Sequence, residues 1–405
     1  MNLFFKNGKV ITPMQVFKKG ALAIENGIIV DVGYQEKVRK PRNSMIIDVK
    51  GNYITPGFID MHVHGGGGSD TMEGTIEALS TIAKTHVKGG TTSLLPTTLT
   101  ASHCEIERVL SCVEKMKDKN FGGAKILGIH LEGPYFSREQ IGAQNPEFIK
   151  IPRKVEYLKL LNKYDCIRRV SVAPELEGGL ELGQELRKRR ILASIAHTNA
   201  TYQDVLAAID AGYTHVTHIY SGMSGLKRIN AYRIPGVIES TLLLNELTTE
   251  IIADGHHLPP SLIRLIIKAK GLDKISLVTD AMNAAGLGPG KYSLGGLDVI
   301  VEDNVAKEFE VSNHKGNYVA KLLTRDFFAG SVATMDQLVR NMVNLVGLSI
   351  QNAIKMATLN PARVLRIDAE RGILFPGLKG DVVVFDENIK ILMTVVEGKI
   401  VYKRM

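Results

Sequence analysis

The sequence contains few of the residues that mark secreted, membrane-spanning or base-stacking proteins. It has no tryptophan and only three cysteines among 405 residues, Cys104, Cys112 and Cys166. No Cys-x-x-Cys pair occurs and three cysteines give no paired framework, which indicates a reducing compartment. No apolar run reaches the roughly 18 residues of a membrane span, and the N-terminus lacks the apolar core of a signal peptide. We therefore expect a cytoplasmic protein with no membrane partner.

The lack of tryptophan, of an RNA-binding signature and of a basic tail also limits what the net charge of +8 means. The densest basic cluster, residues 187–190 (RKRR), closes an amphipathic helix pattern, where cations favour the helix C-terminus. A nucleic-acid partner is not expected. The charge remains compatible with an anionic small substrate or with an ordinary solvated surface.

The two ends of the chain have a different secondary-structure pattern from its middle. Residues 1–52 form short β patterns, with hairpin signals at Asn7-Gly8 and Asn26-Gly27. Residues 362–405 return to short β segments. We expect these ends to form one small β-sandwich domain. A further β insertion is expected near residues 291–322, after a glycine-rich loop.

Between residues 53 and 361, eight apolar strand patterns alternate with helical ones. In one helix, Ile106, Val109, Leu110, Val113 and Met116 fall on a single face. Apolar strands separated by helices predict a parallel sheet with helices on its surface. The simplest closed form is an (α/β)8 barrel of the TIM type. An open doubly wound sheet is the alternative, although no Gly-x-Gly-x-x-Gly follows an early strand.

Polar residues stand where the predicted strands end. The clearest case is the stretch 53–68 (YITPGFIDMHVHGGGG), in which His62 and His64 point to one face of a strand. The full set of such residues is His62, His64, Glu132, His197, His218, His257 and Asp280. In a parallel barrel, function lies at the carboxyl ends of the strands. His130 is expected either to support this cluster from below or to pack, and His215 to pack.

Imidazoles and carboxylates without thiolates favour a divalent metal. These ligands suit Zn²⁺, Fe²⁺, Mn²⁺ or Co²⁺, and the ligand types do not choose among them. Hydrolytic metal sites keep a position open for water, whose pKa the ion lowers. We therefore expect a divalent-metal site at these strand ends.

The motifs of the whole chain resemble the amidohydrolase superfamily, and within it the N-acetylglucosamine-6-phosphate deacetylases. They are PGFIDMHVHG, HLEGP, GAQNPE, AHTNA, THIYSGM, IADGHH, LVTDAM with AAGL, AGSVATMDQLVRN and ATLNPARVL. The resemblance implies that Glu132, His197 and His218 hold the main metal. His62 and His64, with Glu132 and Asp280, would hold a second ion, so the resemblance implies a metal-dependent hydrolase with one or two ions per subunit.

The same resemblance implies roles around the substrate. Asp280 would be the general base and then the general acid, and Gln144, next to Ala143, would stabilise the oxyanion. His257 would contact the substrate. Arg233 would grip a phosphate across the interface of a homodimer. Relatives carry Asn-Ala where this chain has Ser221-Gly222, and backbone amides there would bind the phosphate.

Three functions follow as expectations. The first is hydrolysis of the acetamide of N-acetylglucosamine 6-phosphate, a small phosphorylated amino sugar. The second, prompted by Ser221-Gly222, is hydrolysis of another amide, such as that of N-acetylgalactosamine 6-phosphate. The third is a non-catalytic protein on a barrel scaffold, which the retained ligand set disfavours.

Overall fold

Strands from both chain ends form one sheet in the computed structural model, which describes residues 2–117, 119, 121–303 and 318–404. The strands are Asn2–Ile11, Val16–Glu25, Ile28–Tyr34, Ser44–Asp48, Tyr53–Pro56, Val382–Phe385, Ile391–Val396 and Lys399–Lys403. Tyr53–Pro56 joins the two ends, because it pairs with both Asn2–Ile11 and Val382–Phe385. The sheet has its own apolar core, which includes Leu3, Phe5 and Val395.

The two Asn-Gly signals have different outcomes. Asn26-Gly27 forms the turn between two antiparallel strands, and both residues have the positive φ that such a turn needs. The prediction of a hairpin at Asn7-Gly8 is wrong. Asn7 (φ 56°) lies inside Asn2–Ile11, where the pairing register shifts between Phe5 and Gly8. The left-handed residue is absorbed as a bulge, because the strand pairs with its neighbour on both sides of it.

The middle of the chain is an α/β structure with parallel strands. A three-stranded sheet holds Phe58–Val63, Thr91–Pro96 and Lys125–Ile126. A six-stranded sheet holds Ile129–Glu132, Ile167–Val172, Leu192–Ile195, His215–Val216, Thr248–Ile251 and Ile275–Leu277. Isolated parallel bridges, Thr97 to His130 and Val63 to Ala281, link the two sheets. The predicted parallel sheet in a mixed α/β fold is confirmed.

Ten α-helices occur in the described residues, and their patterns follow the sequence. They are Ile76–His86, His103–Met116, Lys154–Lys163, Gly179–Lys188, Tyr202–Ala211, Val237–Leu243, Pro260–Lys270, Met335–Asn344, Ile350–Ala357 and Leu359–Val364. The predicted apolar face of His103–Met116 is buried. Thr201 caps Tyr202–Ala211 through the N–H of Asp204, and Gly212 (φ 110°) ends it. None of the helices among the described residues has the length and apolarity to cross a membrane.

The predicted β insertion is an antiparallel sheet of Gly290–Leu294, Leu297–Asp303 and Tyr318–Leu322. Its apolar face packs on Leu99 and Met282, which places the insertion beside the carboxyl ends of the parallel strands. Residues 304–317, including His314, lie outside the described residues. A short hairpin, Lys227–Ile229 with Tyr232–Ile234, stands exposed on another loop.

Candidate metal centre

The predicted polar residues meet at one edge of the parallel sheets. His62 lies in Phe58–Val63, and Glu132 is the last residue of Ile129–Glu132. His197, His218 and Asp280 each follow a parallel strand by two or three residues. Because parallel strands bring their carboxyl ends together, residues far apart in the chain become neighbours.

The Glu132 carboxylate is the centre of the cluster. Its Oε1 lies 3.1 Å from His218 Nε2, 3.4 Å from His62 Nε2 and 3.6 Å from His197 Nε2. Its Oε2 lies 3.2 Å from His64 Nε2. Four imidazoles therefore face one buried carboxylate, which is the bridging position implied by the resemblance.

Asp280 completes the cluster on the side of His62 and His64. Its Oδ1 lies 3.1 Å from His64 Nε2 and 3.3 Å from His62 Nε2. The two Nε2 atoms are 3.2 Å apart. Neutral imidazoles cannot both donate a proton across that gap, whereas both can present lone pairs to a cation. Two groups of side chains have the spacing of a metal site: His62, Glu132 and His218, and His62, His64 and Asp280.

Hydrogen bonds at the far ring nitrogens orient three of the imidazoles. His62 Nδ1 faces Glu250 Oε1 at 2.9 Å, His64 Nδ1 faces the Thr97 carbonyl at 3.2 Å, and His197 Nδ1 faces the Gln140 carbonyl at 2.8 Å. Each acceptor holds a proton on Nδ1 and leaves Nε2 free to ligate. The residues present thus fit a divalent cation.

A buried charged network lies beneath His62. The Arg169 guanidinium binds both oxygens of Glu250, at 2.7 and 2.9 Å, and both side chains are fully buried. His215, predicted to pack, is buried but also contacts Glu250, at 3.2 Å. His130 stacks edge-on against His62 with ring centroids 4.7 Å apart, and its Nε2 contacts Ser171 at 2.8 Å. Of the two readings of His130, the supporting position is the one observed.

Charge is strongly coupled in this cluster. Burial disfavours the ionised Glu132, but His62, His197 and His218 outweigh it and hold the pKa of Glu132 well below its usual range. Burial also opposes an imidazolium at His64, yet hydrogen bonds to Asp280 and Glu132 raise its pKa to about 9. The carboxylates therefore attract positive charge onto these nitrogens, and a metal ion competes with protons for the same atoms.

The backbone is held in uncommon conformations at the strand ends. His197 (φ 44°), His218 (φ 23°) and Asp280 (φ 49°) all have positive φ, as does Tyr220 (φ 77°). Such values are rare outside glycine and occur where the surrounding structure imposes them. Here they turn the side chains inward immediately after the strands.

The cluster forms part of the wall of a cavity of about 300 Å³. Ten of the twelve predicted site residues line it: His64, Glu132, Ala143, Gln144, His197, His218, Ser221, Gly222, His257 and Asp280. His62 is fully buried next to them. Arg233 is exposed on the hairpin, and its side chain donates a hydrogen bond to the carbonyl of Ala231 at 2.9 Å. The structure therefore brings together all the predicted residues except Arg233.

Sequence reasoning missed several residues at this site. Glu250 and Arg169 stand inside strands, where a charged residue in an apolar run was the only available signal. Asp326, Phe327 and Phe328 line the cavity from the segment after the insertion. The Phe328 ring lies 4.7 Å from that of His257. No motif or spacing connects that segment to the strand ends.

A sequence model described as "Amidohydrolase family" matches residues 53–401. The chain belongs to the amidohydrolase family. The N-acetylglucosamine-6-phosphate deacetylase of Bacillus subtilis is 33% identical over 99% of this chain and 97% of its own. The N-acetylgalactosamine-6-phosphate deacetylase of Escherichia coli O157:H7 is also 33% identical, over 94% of each chain.

Solved structures of amidohydrolases agree with the sequence comparison. One similar structure is the N-acetyl-D-glucosamine-6-phosphate deacetylase of Mycobacterium smegmatis, solved as an Asp-to-Ala mutant in complex with N-acetyl-D-glucosamine-6-phosphate. Its TM-score is 0.88 at 30% identity, and the alignment covers 99% of this chain and all of that chain. The Pasteurella multocida deacetylase has a TM-score of 0.89 at 29% identity over the full length of both chains. The predicted resemblance to the superfamily and its deacetylase branch is confirmed.

Within this amidohydrolase site, the Ser221-Gly222 loop departs from the pattern expected of relatives. The Ser221 N–H donates to the His218 carbonyl at 3.0 Å. A Cβ added to Gly222 (φ 58°) would lie 2.7 Å from His197 Nδ1 and 2.9 Å from the Gln140 carbonyl oxygen. The loop is therefore packed directly against one of the imidazoles of the cluster.

Proposed function

We propose that this protein is a metal-dependent hydrolase that removes the acetyl group of N-acetylglucosamine 6-phosphate, giving glucosamine 6-phosphate and acetate. The observation that carries the proposal is the convergence of four imidazole Nε2 atoms on Glu132, two of which also face Asp280, beside a cavity. Relatives with this named activity cover nearly the whole chain.

The metal site divides into two overlapping sets of ligands. Glu132, His197 and His218 would hold the main ion, and His62, His64 and Asp280, together with Glu132, would hold a second. The ion is Zn²⁺, Fe²⁺, Mn²⁺ or Co²⁺. The chemistry that such an ion supplies when bound is polarisation of the acetamide carbonyl and a lowered pKa of bound water.

Asp280 moves the proton in this proposal. Its Oδ1 faces the cluster, and among the described residues only the two imidazoles of the His-x-His pair lie within hydrogen-bond distance of it. The carboxylate accepts a proton from the attacking water and returns it to the nitrogen of the leaving amine as the C–N bond breaks. One carboxylate serves both steps because the proton it accepts is the one it delivers.

Gln144 hydrogen-bonds to Glu132 and to the backbone of Thr100, in addition to its proposed role in stabilising the oxyanion. Its Nε2 donates to Glu132 Oε2 at 3.0 Å, and its Oε1 accepts from the Thr100 N–H at 2.7 Å. The amide group has a second N–H, which is available to the oxyanion of the tetrahedral intermediate. His257, fixed by a 2.8 Å contact to Asp254, lies across the cavity as a substrate contact.

The phosphate of the substrate is bound at the Ser221-Gly222 loop and by Arg233 of a second copy. Because the Ser221 N–H is already engaged, the Ser221 hydroxyl and the Gly222 N–H are the groups that meet a phosphate oxygen. The hairpin of Arg233 exposes Ile229 (53%) and Tyr232 (75%), apolar area that a homodimer would cover. Adding Arg233 across that interface supplies a bidentate phosphate partner.

N-acetylgalactosamine 6-phosphate is the second candidate substrate. The E. coli relative is named for it, and the Ser221-Gly222 loop lies in the cavity where the sugar binds. The two sugars differ only at the C4 hydroxyl, which a few hydrogen bonds discriminate. Hydrolysis of other amides remains a third possibility for the same loop.

The test is acetate release by protein reconstituted with each metal in turn. The panel holds both phosphorylated sugars and unphosphorylated N-acetylglucosamine. We expect kcat/KM for N-acetylglucosamine 6-phosphate to exceed that for the unphosphorylated sugar on the order of 100-fold or more. Equal values would overturn the phosphate site. A higher value for the galacto sugar would establish the second candidate, and a protein without bound metal would favour a non-catalytic role.

We propose the remaining architecture as follows. The parallel strands close into an (α/β)8 barrel spanning 53–361, and 1–52 with 362–405 form the β-sandwich domain. The bridges at both edges of the parallel sheets support closure, and the pairing of Tyr53–Pro56 with the end sheet favours a boundary nearer Gly57. A cytoplasmic location is supported by the three free cysteines.

A further inference from the structure

A second cavity, of about 310 Å³, lies at the opposite end of the parallel strands from the metal cluster. It is lined by Lys125, the first residue of Lys125–Ile126, and by Arg168, near the start of Ile167–Val172. Arg371 and Lys379 close it from the C-terminal segment. The cavity therefore lies where the amino ends of the parallel strands meet the sheet of the chain ends. Its volume is within the range of small-molecule sites.

Arg371 is the buried anchor of this cavity, at 3% exposure. Its Nη1 donates to Ser93 Oγ at 2.7 Å and to Asp381 Oδ2 at 2.9 Å, and its Nη2 donates to Glu397 Oε1 at 3.0 Å. Its Nε is buried and has no partner among the described residues. Buried guanidinium N–H groups are normally satisfied, so this donor points to a missing acceptor.

The side chains that line the cavity carry a net positive charge, which favours an anionic acceptor. Five of its lining residues are cationic and two are carboxylates, Glu370 and Glu397. Lys117 is paired with Glu114. The side chain of Arg168 donates to the Leu127 carbonyl at 3.3 Å and makes no ion pair with any described residue. Lys125 and Lys379 likewise make no ion pair with any described residue, although the charge of Lys379 acts on the nearby Asp381 carboxylate.

We propose that this cavity binds a small molecule bearing a phosphate group. A ligand carboxylate would bring one negative charge to a cavity lined by five cations and two carboxylates, whereas a phosphate monoester brings up to two. Its three terminal oxygens can accept from the Arg168 guanidinium and from both ammonium groups together, with the buried positive charge of Arg371 behind them. Lysine ammonium groups are point-charge ligands of phosphate, and arginine N–H groups add direction. The site is separate from the metal cluster and does not depend on the proposed reaction.

The test counts phosphate sites on the full chain by equilibrium dialysis with radioactive inorganic phosphate. We expect Lys125→Glu/Lys379→Glu to bind one phosphate fewer per chain than the natural protein. The catalytic kcat/KM should stay within about twofold, because both residues lie at the far end of the strands. Lys18→Glu/Lys268→Glu changes the net charge equally at exposed positions outside the cavity and should keep the full number.

The same number of sites in both the Lys125/Lys379 variant and the natural protein would overturn the proposal. So would an equal loss in the matched control, because it would show a response to net charge alone. If the charge reversal impairs folding, Lys125→Gln/Lys379→Gln is used, with at least tenfold weaker phosphate binding expected and an unchanged affinity counting against the site. If glucose 6-phosphate competes with inorganic phosphate, the cavity accepts a phosphorylated sugar. If glucose 6-phosphate does not compete, the site is assigned to free phosphate.

Discussion

Arg169 and Glu250 form a fully buried bidentate ion pair, and Glu250 Oε1 also lies 2.9 Å from His62 Nδ1, from which it accepts a hydrogen bond. One carboxylate therefore serves two purposes. It neutralises the buried guanidinium of Arg169, and it orients the His62 ring so that Nε2 points to Glu132 and Asp280. Carboxylates behind a ligating histidine commonly have this orienting effect.

Replacing Glu250 by Met should reduce both stability and metal binding. The free energy of unfolding should fall by about 3–5 kcal/mol, because Arg169 is left as an unpaired buried charge. The affinity for an ion at the His62 site should fall about 10–100-fold, because Nδ1 loses its acceptor. Urea unfolding and metal titration measure the two effects.

The double variant Arg169→Met/Glu250→Met separates those effects. With both charges removed, stability should recover relative to Glu250→Met alone, because the unpaired charge is gone. Metal affinity at the His62 site should stay low, because His62 still lacks its acceptor. If affinity recovers together with stability, Glu250 has no orienting function.

Asp280→Asn should lower kcat about 10²–10⁴-fold, because the amide cannot accept and return the proton. The main metal, held by other residues, should largely remain. Kinetics of acetate release and metal analysis on the same preparation check this. Asp298→Asn, an exposed position on the insertion, is the matched control and should behave as the natural protein. A fully active Asp280→Asn variant would remove Asp280 from the mechanism.

The double variant His62→Gln/His64→Gln should lower the number of bound ions without abolishing binding. These two imidazoles face Asp280 Oδ1 within 3.3 Å, whereas His197 and His218 are left intact. Glu132→Gln should reduce binding at both positions, because its carboxylate contacts all four histidines. Metal stoichiometry measured by mass spectrometry tests this. Unchanged stoichiometry and rate in the first variant would mean that the second ion is not real.

Gly222→Ala should damage the site even though relatives are expected to carry alanine there. The new Cβ would meet His197 Nδ1 at 2.7 Å, at a backbone φ of 58° that alanine disfavours. We expect a loss of stability of about 2 kcal/mol and weaker binding of the main metal. Gly288→Ala is the control, since no atom lies within 4 Å of its added Cβ. Thermal unfolding and metal titration should separate the two variants, and equal behaviour would mean that the loop adjusts freely.

Lys270 should make stability depend on pH in the alkaline range. It is 6% exposed, and burial lowers its pKa from 10.5 to about 8 in the folded protein. Below pH 8 both folded and unfolded chains carry the proton, so the cost of burying the charge is fully present. Between pH 8 and 10.5 the folded chain has lost the proton and the unfolded chain keeps it, so this contribution grows more favourable as pH rises.

The corresponding measurement compares unfolding free energies of the natural protein and Lys270→Met from pH 7.5 to 10. The difference should shift in favour of the natural protein by roughly 1 kcal/mol or more over pH 8–10. Lys268→Met, exposed on the same helix, should show no such shift. A difference that is flat across pH would mean that Lys270 keeps its ordinary pKa in the folded protein.

The cluster of histidines and carboxylates at the strand ends could be predicted because its signals are local. His62 and His64 share a strand face by their spacing, and Glu132, His197 and Asp280 each follow an apolar run. The rule that parallel strands gather their carboxyl ends then connects them. The roles of Glu250 and Arg169 could not be predicted, because in the sequence each resembles an ordinary polar residue in a strand. A buried charge requires a partner, but the sequence does not say which one.

The sequence by itself determined the order of strands and helices, the ligand types and the family, because these depend on local periodicity and motifs. Only the tertiary structure decided which groups stand behind the ligands. It placed Glu250 against His62, engaged the Ser221 N–H with His218 and pressed Gly222 onto His197. It also left the Arg371 Nε, at the far end of the strands, without a hydrogen-bond partner in the part of the chain that the structure describes. Contacts of about 3 Å set these relations, most of them between residues far apart in the chain, and no spacing along the sequence encodes them.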